Sequence, residues 1–308
     1  MPLPEEFHAL ARKVNNWGRW GADDEIGTLN LITDEVRTAA AACIKTGRTF
    51  PLAIPLSGNG PQTGAVPGRI NPLKTMIAVN EPLLGDPGLF CSSDDVVTMA
   101  LQCATHWDAL AHVSYDNRLY NGFAASSITA HGAARCGIDK IGVLAGRGVL
   151  LDVARAKGVD RLEPGYALRP EDLDEACELG KLAVEPGDVV LLRTGQIQLL
   201  HRGDKFGYMY PNPGPSMMTA EWFRLHDVAA VATDSLTFEV FPSERADCLL
   251  PVHLLHLVEM GMTQGQNFDL EALSEDCAGD GVYRFFLDAS PQPFVGGLGT
   301  PVNPVAVK

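Results

Sequence analysis

From residue 96 onward, apolar runs of strand length alternate with helix signals, and this alternation constrains the fold more than any other feature of the sequence. The runs fall at residues 148–152, 188–193 and 228–232, with a late one over 283–287. Between them lie a helix after Pro170 and another after Thr219. A further helix has Pro251 in its first turn, where a missing N–H costs nothing, and Gly261 to close it. Strands and helices in alternation predict an α/β architecture. With 308 residues and no break in composition, the simplest organisation is one domain over residues 1–308.

The amino-terminal part reads differently. Helical spacing over 4–14 is followed by a Gly-, Trp- and carboxylate-rich stretch over 17–27, which predicts an ordered loop rather than a linker. Thr33 is an N-cap candidate, and Asp34 and Glu35 suit the positive end of a helix dipole. Gly47 can take a left-handed conformation at the other end, so a helix over about 34–46 is expected, then a strand over 49–56. The Gly/Pro-rich segment over 58–72 predicts a connection that serves as a lid or as an oligomer contact.

Charge and cysteine content narrow the function classes. The formal net charge is −14 and no basic run exists to neutralise phosphates, which disfavours nucleic-acid binding. Seven scattered cysteines without a C-x-x-C pair do not suit a disulfide framework. No signal-like amino terminus and no run of 18 apolar residues is present, so the expectation is a cytoplasmic protein without membrane attachment.

The polar residues concentrate in one segment, Gln102-Cys103-Ala104-Thr105-His106-Trp107-Asp108-Ala109-Leu110-Ala111-His112. If residues 99–108 are extended, Gln102, Ala104, His106 and Asp108 share one face. His106 and Asp108 then offer an imidazole nitrogen and a carboxylate oxygen, a pair that suits zinc or manganese. His112 follows just beyond the strand, placed to exchange protons as an acid/base. Spacing alone equally accommodates hydrogen-bonded interior histidines and an Asp108 that caps a turn. A second cluster lies on the predicted helix after Pro251, where His253 and His256 share a face with Glu259. That pattern also fits a solvated helical stripe.

The segment around His106 resembles the Putative cyclase superfamily, which includes bacterial kynurenine formamidase, isatin hydrolase and trans-dienelactone hydrolase and whose hallmark reads H-x-G-T-H-x-D-x-P-x-H. The resemblance continues through Trp17-Gly18, Gly27-Thr28-Leu29-Asn30, Arg118-Leu119-Tyr120-Asn121-Gly122, the run over 187–195 and Gly265-Gln266-Asn267-Phe268-Asp269-Leu270. It implies a swivelling β/β/α fold, a mixed central sheet with flanking helices. It also implies an amino-terminal arm over 1–32 that completes a neighbour's site, and a homodimer or homotetramer.

Carried over by position, the resemblance implies that His106, Asp108 and His253 are metal ligands and His112 the catalytic residue. Two ligand positions depart from the pattern: the first hallmark His is Gln102, and a Glu expected near the Gly-x-x-x-Gly turn is Gln266. Two amides in place of an imidazole and a carboxylate hold transition metals poorly, which argues against a two-metal site. One divalent ion, zinc or manganese, held by His106, Asp108 and His253, and a metal-free site, remain as alternatives. In either, Gln102 and Gln266 are expected to bind substrate. Trp17 and Tyr120 are expected to line an aromatic-substrate pocket. Asp234 is expected to support a ligand histidine or to cap a helix, and Cys103 to sit in the core.

The function expected is hydrolysis of a C–N or C–O acyl bond in a small aromatic or cyclic amide or lactone, of the arylformamidase or isatin hydrolase type and thus part of the catabolism of aromatic compounds. The alternatives are a metal-independent proton-transfer enzyme, such as a dehydratase, isomerase or cyclase, and a catalytically silent ligand-binding homologue.

Overall fold

The computed structural model describes residues 3–308, so the first two residues of the expected arm and of the amino terminus lie outside it. Nine strands form one mixed sheet: β1 (Thr49–Pro51), β2 (His106–Asp108), β3 (Ala145–Asp152), β4 (Val189–Arg193), β5 (Ala230–Thr233), β6 (Thr263–Gln266), β7 (Arg284–Asp288), β8 (Gly299–Pro301) and β9 (Val305–Val307). Their spatial order is β1-β9-β7-β3-β4-β5-β6-β2-β8. The centre, β3 to β6, is parallel, and antiparallel strands flank it on both sides.

The central apolar runs are continuous because both faces of the sheet are covered, as parallel strands require. Val190 and Leu192 face one core with Leu173 of α3 (Pro170–Gly180), Phe223 of α4 (Thr219–Leu225) and Leu255. Val189 and Leu191 face the other, with Trp107, Phe268 and Leu273. The first helix, α1 (Glu5–Val14), buries Phe7, Leu10, Ala11 and Val14 in the first of these cores. Within this chain the arm is therefore packed inward, on its own body.

Four local readings are corrected, the first being the strand expected over 49–56, which ends at Pro51 as β1. The helix begun by Thr33, α2 (Asp34–Ala41), accepts its cap bond from Val36 N as expected but stops well before residue 46. Thr46 and Gly47 instead donate their backbone N–H groups to Lys308 O, at 3.0 and 2.7 Å, which holds them at the sheet edge. The strand expected over 99–108 is reduced to β2. Before it, Ala104 O is taken by His106 Nδ1 and Asn267 Nδ2, so the backbone there does not ladder. Finally, a hairpin of Leu73–Pro82 with Cys91–Thr98 occupies a stretch with no predicted element. Its side chains, including Ile77 and Val79 at 67% exposure, face solvent, so no burial pattern marks it in the sequence.

The helix opened by Pro251 runs as one turn, Pro251–His253, and continues as a π-helical segment over Leu254–Met260, together α5. Gly261, at φ 66°, ends it. An ordinary Cβ there would meet the Tyr120 ring at 2.3 Å, so the position needs glycine for space as well as conformation. No helix among the described residues is long and apolar enough to cross a membrane.

Candidate active site

Strand β2 lies between β6 and β8, with His106 opposite Gln266 and Asp108 opposite Gly299. His106 and Asp108 are completely buried. His106 uses Nδ1 to donate to Ala104 O at 2.7 Å, which fixes its tautomer and leaves Nε2 with a bare lone pair. That Nε2 stands 3.5 Å from Asp108 Oδ1, and neither atom has a hydrogen-bond partner.

His253 repeats the arrangement from α5. Its Nδ1 meets Glu239 Oε1 at 2.5 Å, so its Nε2 also faces inward bare, 4.0 Å from Asp108 Oδ2. Glu239 in addition accepts from the backbone N–H groups of Val252 and His253 at 3.0 and 2.8 Å. This is the supporting role that Asp234 was expected to take. Asp234 is instead committed elsewhere, accepting from Thr194 N, Thr194 Oγ1 and Gly195 N at 3.0, 2.6 and 2.7 Å. It braces the turn after β4 and touches no site histidine. The signal for Glu239 was a carboxylate inside the apolar stretch Phe238-Glu239-Val240-Phe241, where a charge survives only with dedicated donors.

His112 completes the group, its Nε2 3.7 Å from Asp108 Oδ1 and its side chain partly exposed to the cavity above. Burial pushes the Asp108 carboxyl up, and positive charge on the imidazoles of His112, His106 and His253 would more than offset that, drawing it below the usual carboxylate range. Burial also lowers the His112 imidazole below its ordinary value, against the opposing pull of Asp108. His112 is thus held neutral, the form that accepts a proton.

Gln266 donates from Nε2 to Asp108 Oδ2 at 2.6 Å, with the Gln264 amide at 3.5 Å from the same oxygen. Both glutamines lie on one face of β6, a strand too short to show as a period in the sequence. Gln102 is not in the ligand row by strand alternation, because its backbone is a turn. Its amide lies over Gly299, where a Cβ would be 2.7 Å from Nε2, and it does not line the cavity.

Trp17 and Tyr120 are corrected to packing residues. The Trp17 indole donates to Val258 O at 2.7 Å, and the Tyr120 hydroxyl donates to Asp24 Oδ2 at 2.9 Å; neither lines the cavity. They fasten the amino-terminal loop to α5. Glu259 points the same way, accepting from Asn15 Nδ2 and the Tyr115 hydroxyl, and so does not join His253. His256 is fully buried between Phe223 and Phe238, with neither ring nitrogen bonded. Cys103 is buried with its thiol raised, as expected of a core residue.

The cavity, of about 440 Å³, has His112, His253 and Gln266 at its floor and Leu236, Phe241 and Met209 among its walls. Among the described residues, no three His, Cys, Asp or Glu side chains close to metal-binding geometry. The donor types are nonetheless ones a cation takes: Nε2 of His106 lies 3.5 Å from Asp108 Oδ1 and Nε2 of His253 lies 4.0 Å from Asp108 Oδ2, with no hydrogen bond between them.

The Putative cyclase family profile matches residues 28–240. A crystal structure described as a novel cyclase superposes with a TM-score of 0.88 at 38% identity, covering 96% of this chain and all of that one. Isatin hydrolase A from Labrenzia aggregata, bound to benzyl benzoate, gives 0.63 at 18% identity over 91% of this chain and 98% of its own. A predicted metal-dependent hydrolase from Bacillus stearothermophilus gives 0.54 at 17% over 85% and 98%. No curated protein sequence matches. The mixed sheet with its flanking helices is the fold these proteins share, and on the profile match and the 38% identity over nearly its whole length the chain belongs to the Putative cyclase family.

Proposed function

We propose that the protein is a hydrolase of small amides or lactones, with His112 as its acid/base. The observation that carries this reading is the convergence of the Nε2 atoms of His106 and His253 on Asp108, directly behind a cavity that His112, His253 and Gln266 line. Their Nδ1 atoms are each spent on an acceptor, Ala104 O and Glu239, in the pattern by which second partners orient ligand histidines. His106, Asp108 and His253 would hold one divalent ion, which supplies Lewis acidity toward an acyl oxygen. The structural relatives described as isatin hydrolases and metal-dependent hydrolases support the same chemistry.

The chain's own groups do the rest. Neutral His112 takes a proton from the attacking water and returns it to the leaving nitrogen or oxygen. Gln266 holds Asp108 by its amide, fixing the carboxylate that faces both imidazoles. A substrate filling the apolar part of the cavity would displace water there and strengthen the polar contacts beneath it.

The test is turnover of a panel of N-formyl aromatic amines, cyclic imides and lactones, together with elemental analysis. Turnover with about one ion per chain, reduced at least about a hundredfold by His112→Ala, is expected. Turnover unchanged by that substitution would overturn the assignment. A second reading, metal-independent proton transfer, is favoured by one contact: the Gln266 amide donates to Asp108 Oδ2 at 2.6 Å and so takes up one of its oxygens. Activity that survives a chelator, at less than about a tenth of an ion per chain, decides for it.

A further inference from the structure

The cavity wall carries one full charge. Arg69 stands on the Gly/Pro-rich loop after β1, its backbone N–H bonded to Val66 O at 3.1 Å, and its side chain lines the cavity with His112 and His253. Three arginines packed into the body of the fold are by contrast committed: Arg19 to Asp227, Arg147 to Asp188, and Arg193 to Asp152 and Glu271. The Arg69 guanidinium has neither an ion pair nor a side-chain hydrogen bond among the described residues. No Asp or Glu lines the cavity beside it. In a chain with 38 acidic residues, an arginine half-buried without a carboxylate is an unanswered charge.

A guanidinium presents its donors as a planar fork that matches a carboxylate in two parallel hydrogen bonds. The rest of the wall is mainly apolar, with Leu236, Phe241, Met209 and Val113, beside Tyr210 and Thr237, neither of which carries a charge. A ligand that satisfies this cavity is therefore apolar in its body and anionic at the end that meets the loop.

We propose that Arg69 binds a carboxylate of the substrate, so that the protein acts on acids carrying the scissile amide or lactone rather than on neutral compounds. The proposal rests on the cavity being the substrate site of the hydrolase proposed above. It assigns the loop over 58–72 a role in selection: the acyl group lies at His112 and His253, the apolar body along Phe241, and the carboxylate at Arg69.

Binding of benzoate and benzamide, matched in shape and different in charge, tests it by calorimetry on chelator-treated protein. Wild type is expected to bind benzoate at least about tenfold tighter than benzamide. Arg69→Gln should erase that preference while leaving benzamide affinity and melting temperature unchanged, and Arg69→Lys should keep part of it. Equal affinities in the wild type overturn the proposal. So does a preference that persists in Arg69→Gln, which would belong to the histidine cluster instead. Because binding is read rather than turnover, an Arg69-dependent preference in a protein that hydrolyses no amide or lactone sinks the hydrolytic reading and leaves the Arg69 assignment standing.

Discussion

Glu239 and His253 are joined twice, Oε1 accepting from both the backbone N–H at 2.8 Å and the ring Nδ1 at 2.5 Å, so one carboxylate sets both the start of α5 and the direction of its imidazole. Replacing it with glutamine leaves one acceptor oxygen and turns an NH2 group toward a backbone N–H. Glu239→Gln is expected to cost about 1–3 kcal/mol in stability and about 10–100-fold in kcat/KM. Chemical denaturation and steady-state kinetics on the same preparation check both; full activity would mean that His253 needs no such support.

Gln266→Glu tests the donor set from the other side. Gln266 Nε2 lies 2.6 Å from Asp108 Oδ2, so a second carboxylate there sets two like charges in contact in a buried site. The ion-free protein should lose about 1–3 kcal/mol, and zinc affinity should rise at least about tenfold. Melting with and without zinc reads both effects. A variant neither destabilised without the ion nor rescued by it would show that Asp108 and residue 266 do not face a common cation.

Tyr120→Phe removes the bond to Asp24 and nothing in the cavity. A loss of about 1 kcal/mol, read as roughly 2 °C in Tm, is expected, with kcat/KM unchanged within about twofold. A large fall in kcat/KM would return Tyr120 to the pocket.

Asp234 supplies the pH dependence. Burial raises its carboxyl from 3.8 to about 6, against the donors of Thr194 and Gly195. A raised acid stabilises the fold when protonated, so its contribution is complete below about pH 3.8 and is lost as the pH rises through about 6. Between about pH 4 and 6.5 the wild type should therefore lose stability relative to Asp234→Asn, by no more than about 3 kcal/mol. A difference that is flat with pH, measured by denaturant titration, would refute the shift.

The long elements were legible because their signals are local. Continuous apolar runs marked β3, β4 and β5, and Thr33, Pro170, Pro251 and Gly261 marked helix ends. The four-residue β6 was not, and β2 was expected too long, over 99–108, since their residues are extended only by pairing with distant strands. The site divides in the same way. His106, Asp108 and His112 stand in one segment and could be read together, whereas Glu239 and Arg69 join them through contacts that no spacing in the sequence records. Trp17 and Tyr120 were misplaced because a buried aromatic looks the same in sequence whether it faces a ligand or a neighbouring helix.

The same dispersal has a kinetic meaning. Asp108 and Gln266 are 158 residues apart, on strands that adjoin in the sheet while β3, β4 and β5 lie between them in the chain. Loop closure over such separations is slow, and no early, locally folded fragment of the chain contains the assembled cluster. An ion or substrate seated there thus recognises only the finished sheet, and its binding energy adds to the barrier against global unfolding rather than steadying one region.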